Sequence, residues 1–309
     1  MTPFNPSKSA FGRHETFPLR FGWLTKGYRA WCENPEVFGQ DDPTVVLGVG
    51  KNMVTAIRYW LEAAQIVESS QAEGFAPTAI GRALFSGSTG WDPFLEDDAT
   101  LWLIHWLIAS NPSEATTFYW FFNRYHKPEF TSAELAEALA DFVRESVKSR
   151  AAETTLKHDI NVLLRMYGPP EKIKGAPVEE GLDSPMTTLG LFQRAGDGKH
   201  FMARVSERRR LPLAAFGYAV LEVMESLNQP SVSVERLLRA DNQISAPGSV
   251  FRLTEDGLIT KLEELVRWFP GVLELRETAG IHQLYRMQAC SKYDVIAKHY
   301  AGTSLEEAA

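Results

Sequence analysis

From Phe17 onward apolar residues recur at spacings of three and four, broken by short turn signals, and long runs of strict alternation are rare. The pattern predicts a mainly α protein. Phe17-Pro18 opens a helix running to about Cys32, with Phe21, Leu24, Tyr28 and Trp31 on one side, and Glu33-Asn34-Pro35 ends it. Asp42-Pro43 caps a short segment reaching Leu47, Gly48-Val49-Gly50 supplies a tight turn, and a second helix covers 51–65. Met53, Ile57, Trp60, Leu61 and Ala64 share its inner face, while Lys51, Asn52, Thr55 and Arg58 point the other way. Short strands at 66–68 and 74–77 enclose a polar loop, and 78–84 reads as a capped turn. Residues 17–86 therefore read as a winged helix-turn-helix unit with a β-hairpin wing.

A loop over 86–93 leads to helices at 94–109, 115–125 and 132–149. The stretch 172–185 has Gly175, Pro177, Gly181 and Pro185 without apolar periodicity and reads as a linker. Beyond it lie helices at 211–227, 233–240 and, capped by Thr254, 255–269, which Pro270-Gly271 stops. Strand-like pieces at 272–275 and 281–287 joined through 276–280 suggest a second winged-helix unit. Two helical domains follow, an N-terminal one over 1–171 and a C-terminal one over 186–309, with no solenoid repeat and no low-complexity tract.

Length and composition change this picture little. The 309 residues, 44% hydrophobic and 23% charged, are enough for one large or two ordinary domains and exclude disorder as the main state. Net charge is −7, about −5 in residues 1–150 and −2 in the remainder. Neither half is a basic nucleic-acid coat, so polyanion contact must come from local clusters acting within a Debye length of roughly 8 Å. Cys32 and Cys290 stand alone, which argues against a disulfide framework or a structural zinc site, and both read as ordinary buried thiols. The polar segment 1–26 lacks the apolar core of a secretory signal, and the longest apolar run, 101–109, is about half of the roughly 20 residues that span a bilayer. A soluble, cytoplasmic protein without a membrane partner is expected.

Candidate chemistry is sparse. Gly48-Val49-Gly50-Lys51 fails as a phosphate-binding loop, because Val45 and Asn52 stand where a glycine and a hydroxyl are required. The same residues suit DNA contact. Lys51, Arg58 and Arg82, with Arg20 and Lys26 nearby, are placed for phosphates, and Asn52 and Thr55 for base edges; a solvated helix face is the plainer alternative. Asp92, Glu96, Asp97 and Asp98 precede an apolar helix. Two such carboxylates, Asp92 and Glu96, can hold a divalent cation for phosphodiester cleavage, whereas placement in a first helical turn favours plain capping. The pair His14 and Glu15 is a rival site with no obvious core role. His105, inside an apolar helix, reads as a satisfied core histidine. Lys199-His200, Arg204 and Arg208-Arg209-Arg210 form the most basic run and read as a backbone-phosphate clamp or a solvated loop.

Several strings carry a resemblance: Arg13-His14-Glu15-Thr16-Phe17, Gly22-Trp23-Leu24, Lys26-Gly27, Leu47-Gly48-Val49-Gly50-Lys51-Asn52-Met53-Val54, Asp92-Pro93, Glu96-Asp97 and Thr100-Leu101-Trp102-Leu103. His158-Asp159-Ile160, Ser184-Pro185, Leu189-Gly190-Leu191, Phe216-Gly217-Tyr218-Ala219, Pro247-Gly248-Ser249-Val250-Phe251 and Thr278-Ala279-Gly280 continue it. Together, from about 11 to 288, the chain resembles the SspB-type family of bacterial DNA phosphorothioation defence systems, formerly a domain of unknown function. The resemblance implies partners: DNA, a cysteine desulfurase, an ATP-using sulfur-activating enzyme and an ATPase, which together replace a nonbridging phosphate oxygen by sulfur. It also implies a DNA-nicking role with Mg²⁺ or Mn²⁺, and it raises Asp92, Glu96 and Asp97 as metal ligands, with His14 and Glu15 as the rival pair. A noncatalytic DNA-binding or scaffold subunit is the alternative.

Overall fold

The computed structural model describes residues 1–39, 43–70, 74–87, 89–169, 184–196 and 198–306. Helices α1 (Trp23–Glu33), α2 (Pro43–Leu47) and α3 (Lys51–Ala63) lead into an antiparallel hairpin, β1 (Val67–Ser70) with β2 (Gly74–Pro77), and then α4 (Ala79–Phe85). Thr78 caps α4 by accepting from the Gly81 amide. Gly27 lets α1 and α3 close on each other, since a Cβ there would lie 2.6 Å from Ile57 Cγ2 and 2.9 Å from Leu61 Cδ1. The first helix begins at Trp23 rather than at Phe17. Gly22 is left-handed (φ 72°), and the Phe17 carbonyl accepts from Trp60 Nε1 at 3.1 Å, so 17–22 lies as a strap on α3 instead of a first turn. Cys32, expected to be buried, is exposed; only Cys290 is buried, and both are free thiols.

The second group is α5 (Asp98–Ala109), α6 (Thr116–Asn123), β3 (Glu129–Thr131), α7 (Ser132–Ser146), α8 (Glu153–Tyr167), β4 (Gln193–Arg194) and β5 (His200–Met202). The expected helix over 94–109 starts only at Asp98, because 92–97 coils around the Asp92 carboxylate and Leu95 is left-handed (φ 59°). Thr131 and Glu134 form a reciprocal capping box on α7. The helix expected over 132–149 is α7, ending at Ser146, and α8, for which no helix was expected, follows, built on Leu156, Ile160, Leu163, Leu164 and Tyr167. β5 pairs antiparallel with both β3 and β4, giving the strand order β3-β5-β4.

The third group has a related order, with three α-helices rather than two between its first strand and its hairpin. α9 (Leu213–Leu227), β6 (Ser231–Ser233), α10 (Val234–Leu238), α11 (Pro247–Val250) and α12 (Glu255–Trp268) precede the hairpin β7 (Leu273–Thr278) and β8 (Ile281–Arg286). Its strand order, β6-β8-β7, again puts the last strand in the middle. α13 (Lys292–Glu306) closes the described chain against α9. Residues 172–183 of the expected linker lie outside the described residues; from Ser184 the chain enters a buried 3-10 turn, Pro185–Leu189. Because β3 pairs with β5 and one apolar cluster runs from Leu19 to Tyr300, the stretches on either side of that segment share a sheet and a core. Among the described residues no helix is long and apolar enough to cross a membrane.

At the centre of that core, every residue of α5 from Ala99 to Ala109 is buried. His105 is 0% exposed, with Nδ1 2.9 Å from the Tyr167 hydroxyl and Nε2 3.0 Å from the Val250 carbonyl. Burial pushes its pKa down to about 3. In the unfolded chain the imidazole titrates near 6.5, so below that pH the unfolded state binds the extra proton and the folded state does not. His105 stability is thus fully present above about pH 6.5 and is lost as pH falls toward 3, at up to ~1.4 kcal/mol per pH unit. His105→Gln is expected to flatten that part of the stability curve in urea melts taken from pH 7 to pH 4; an unchanged slope would contradict the assignment.

Candidate nucleic-acid interface

The acidic loop before α5 is a capping structure. Asp92 is 6% exposed; its Oδ1 accepts from the Glu96 amide at 2.9 Å, and its Oδ2 from the Asp97 amide at 3.0 Å and the Thr100 hydroxyl at 2.5 Å. Thr100 also bonds the Tyr300 hydroxyl of α13. Asp97 is the N-cap of α5, accepting from the Ala99 amide at 2.7 Å, and its other oxygen lies 2.7 Å from His299 Nε2. The His299 hydrogen bond holds the Asp97 carboxyl below its usual range. Glu96 and Asp98 face solvent. Among the described residues no three His, Cys, Asp or Glu side chains come together to hold a metal, and both Asp92 oxygens accept hydrogen bonds from the loop and α5.

His14 and Glu15 also separate. Glu15 is left-handed (φ 49°) and exposed, whereas His14 is 2% exposed and belongs to the core despite its polar surroundings in sequence. Its Nε2 lies 3.0 Å from Oδ1 of buried Asp159 on α8, its Nδ1 accepts from the Thr16 amide at 3.2 Å, and its ring stacks on Trp60 of α3. Asp159 further accepts from the Gly12 amide at 2.8 Å and the Thr117 hydroxyl at 2.7 Å. Burial, with the Asp159 charge adding to it, pushes the neighbouring Tyr59 hydroxyl well above its ordinary range. This knot ties the N-terminal strap to α3, α6 and α8; in sequence Asp159 stands only within the resemblance string His158-Asp159-Ile160, with no reading as a site.

The cationic candidates meet three different environments. Lys51, Asn52 and Thr55 lie exposed at the start of α3, beside the exposed Val45 and Val46 of α2. Lys26 is exposed on α1. Arg58 is engaged by Glu62 at 3.3 Å and stacks over Phe75 of the hairpin, Arg82 donates to the Pro77 carbonyl, and half-buried Arg20 lies against Phe17 and Trp23. The run at 199–210 does not form one clamp. Lys199 is in the turn between β4 and β5, with His200 opening β5. Arg208, left-handed (φ 47°), turns back to donate to the Gly190 and Arg204 carbonyls, and burial pushes its pKa down. Arg209 pairs with Glu207 at 2.8 Å, and Arg204 and Arg210 are exposed.

Two basic features escaped the pattern. Arg252 is 4% exposed, donates to the Phe121 and Tyr125 carbonyls, and lies over the Phe121 and Phe122 rings; burial and then Arg208 bring its pKa down to about 10. An open cleft of about 630 Å³ lies beside the start of α8, lined by Lys8, Arg13, Arg150, Ser149 and Thr155 among others, with Glu114 also in its wall and paired to Arg13 at 2.5 Å. The signal that finds it is the apolar three- and four-residue spacing over 156–167, which marks α8 and thereby sets the basic turn before it at a helix start.

With this arrangement in view, residues 11–300 match the family described as "Protein of unknown function (DUF4007)". The chain belongs to that family. Two solved structures share its fold: the SspB crystal structure, at TM-score 0.84, and the magnesium ion-bound SspB crystal structure, at TM-score 0.82. Each is 31% identical, and each match covers 96% of this chain and 89% of the SspB chain. A search of curated proteins gives no significant match. For this DUF4007 protein the capping role of Asp92 is tested by stability. Asp92→Ala leaves the Glu96 and Asp97 amides without an acceptor and Thr100 with Tyr300 alone, and is expected to cost about 3 kcal/mol, while Glu96→Gln stays within ~0.5 kcal/mol. Chemical denaturation of both variants checks this, and equal stabilities would remove the capping argument.

Proposed function

We propose that this protein binds duplex DNA as the SspB-type component of a phosphorothioate-modification and anti-phage defence set. The observation that carries the reading is the exposed stripe of Lys51, Asn52 and Thr55 at the start of α3, on a chain whose net charge is −7. A phosphate backbone is held against that global repulsion only where local cations and amide groups meet it. The α1-α2-α3-hairpin group, and the two groups with strand orders β3-β5-β4 and β6-β8-β7, are read as winged helix-turn-helix units. The similarity to SspB supports placing the chain beside a cysteine desulfurase, an ATP-using sulfur-activating enzyme and an ATPase.

Within that set the chain's further role is either strand nicking or recruitment of the sulfur-transfer enzymes. The magnesium-bound relative supports a divalent cation, Mg²⁺ or Mn²⁺, and hence nicking. The engagement of Asp92 and Asp97 as helix caps favours recruitment, and no cleavage step is assigned to them. Binding and cleavage separate cleanly in experiment. Duplex affinity is expected to fall roughly 100-fold between 50 and 200 mM salt, the response for about four phosphate contacts. Supercoiled plasmid incubated with protein and Mg²⁺ then distinguishes the two roles: open-circular product supports nicking, and gel-shift binding without product supports recruitment. A chain that shifts no duplex at 50 mM salt refutes DNA binding itself.

A further inference from the structure

The second helix-strand group, running from α6 through β3, α7 and α8 to the β4-β5 hairpin, presents a helix that nothing in the residue pattern singled out as a reading element. In helix-turn-helix proteins the last helix before the hairpin enters the major groove. On α8 the residues turned to solvent are Glu153, Thr154, Lys157, His158, Asn161 and Arg165. At about 100° per residue the last five fall within an arc of about 100°, and Glu153, the first residue of the helix, lies about 40° outside it. Asp159, next in sequence to His158, points the opposite way into the His14 knot. Arg165 is steadied by donating to the Thr16 carbonyl at 3.3 Å.

The flanks continue the charge. Lys148 and Arg150 stand exposed in the turn before α8, and the strap carrying Lys8 is fastened beside them: the Lys148 amide donates to the Pro6 carbonyl at 2.8 Å, and the Ser9 and Ser149 hydroxyls lie 2.7 Å apart. The equivalent helix of the third group, α12, turns Glu255, Asp256 and Glu263 outward, so a shared topology does not impose a basic face. Of the two, α8 is the helix whose exposed face beyond its first residue carries cations and no carboxylate, and a straight stripe next to a basic turn suits a duplex rather than a single phosphate.

We propose that α8 is the helix that enters the major groove of DNA, with Asn161 and Arg165 at base edges, Lys157 and His158 beside them, and Lys8, Lys148 and Arg150 on flanking phosphates. This rests on the DNA-binding reading above, and α3 then supplies a lesser backbone contact. The test uses the full-length protein and a fluorescein-labelled 30-base-pair duplex. Lys157→Glu combined with Asn161→Ala is expected to weaken binding by at least ~20-fold, and Lys51→Glu by less than about fivefold. Lys8→Ala with Arg150→Ala lowers the salt slope by about two. Glu263→Gln on α12 binds as the wild type does. Saturating duplex protects Lys157 from acetylation, a readout that does not depend on how a variant folds. An α8 variant that binds within twofold of wild type, or a Lys157 acetylated equally with and without duplex, overturns the assignment while leaving DNA binding intact. A wild-type chain with no affinity for the duplex overturns both.

Discussion

An apolar helix with no polar side must be covered from every direction, and α5 imposes that demand on the whole chain. Three of the buried polar groups it carries are answered by different neighbours. Thr100 donates to Asp92 in the preceding loop, His105 meets Tyr167 of α8 and the Val250 carbonyl of α11, and Trp106 donates to buried Glu222 of α9 at 2.7 Å. Glu222 is itself balanced by Lys292 of α13. Just beyond the helix, Asn111 donates to the Glu62 and Ala63 carbonyls that end α3. An unanswered buried donor or acceptor costs about 1–3 kcal/mol, so these contacts hold the three helix-strand groups in fixed places around one axis.

What the residue pattern reveals is what local chemistry decides. The α2-α3 turn follows from Gly48 and Gly50, and α12 from the Thr254 cap and the Pro270-Gly271 stop, and both are found where those signals stand. The β7-β8 hairpin is legible for the same reason. The edges drift where tertiary contacts outvote propensity, as at Phe17, whose carbonyl is taken by Trp60, and at Phe94, which lies in the loop wound on Asp92. The sheets are the least legible part. β3 and β5 are too short to show alternation, and their pairing joins residues 129–131 to 200–202 across a stretch that looks like a boundary.

The candidate site was legible in residue type and not in environment. A carboxylate before a helix and a histidine before a glutamate look alike whether they face solvent or the interior. His14 and Asp92 are buried because strap and loop fold back over α3 and α5, which no local pattern records. The arginine run behaves likewise. Consecutive arginines point in different directions once Arg208 takes a left-handed backbone, and Arg252, isolated in sequence, becomes a structural pin between aromatic rings and carbonyls.

The Asp159 knot also acts as a rotational stop. His14, Gly12 and Thr117 approach α8 from one direction, and turning the helix by a single residue's angle about its long axis would lift that carboxylate away from all three while driving His158 toward the interior. Which side chains α8 shows to the outside is therefore decided from behind, by a segment that begins before the first helix.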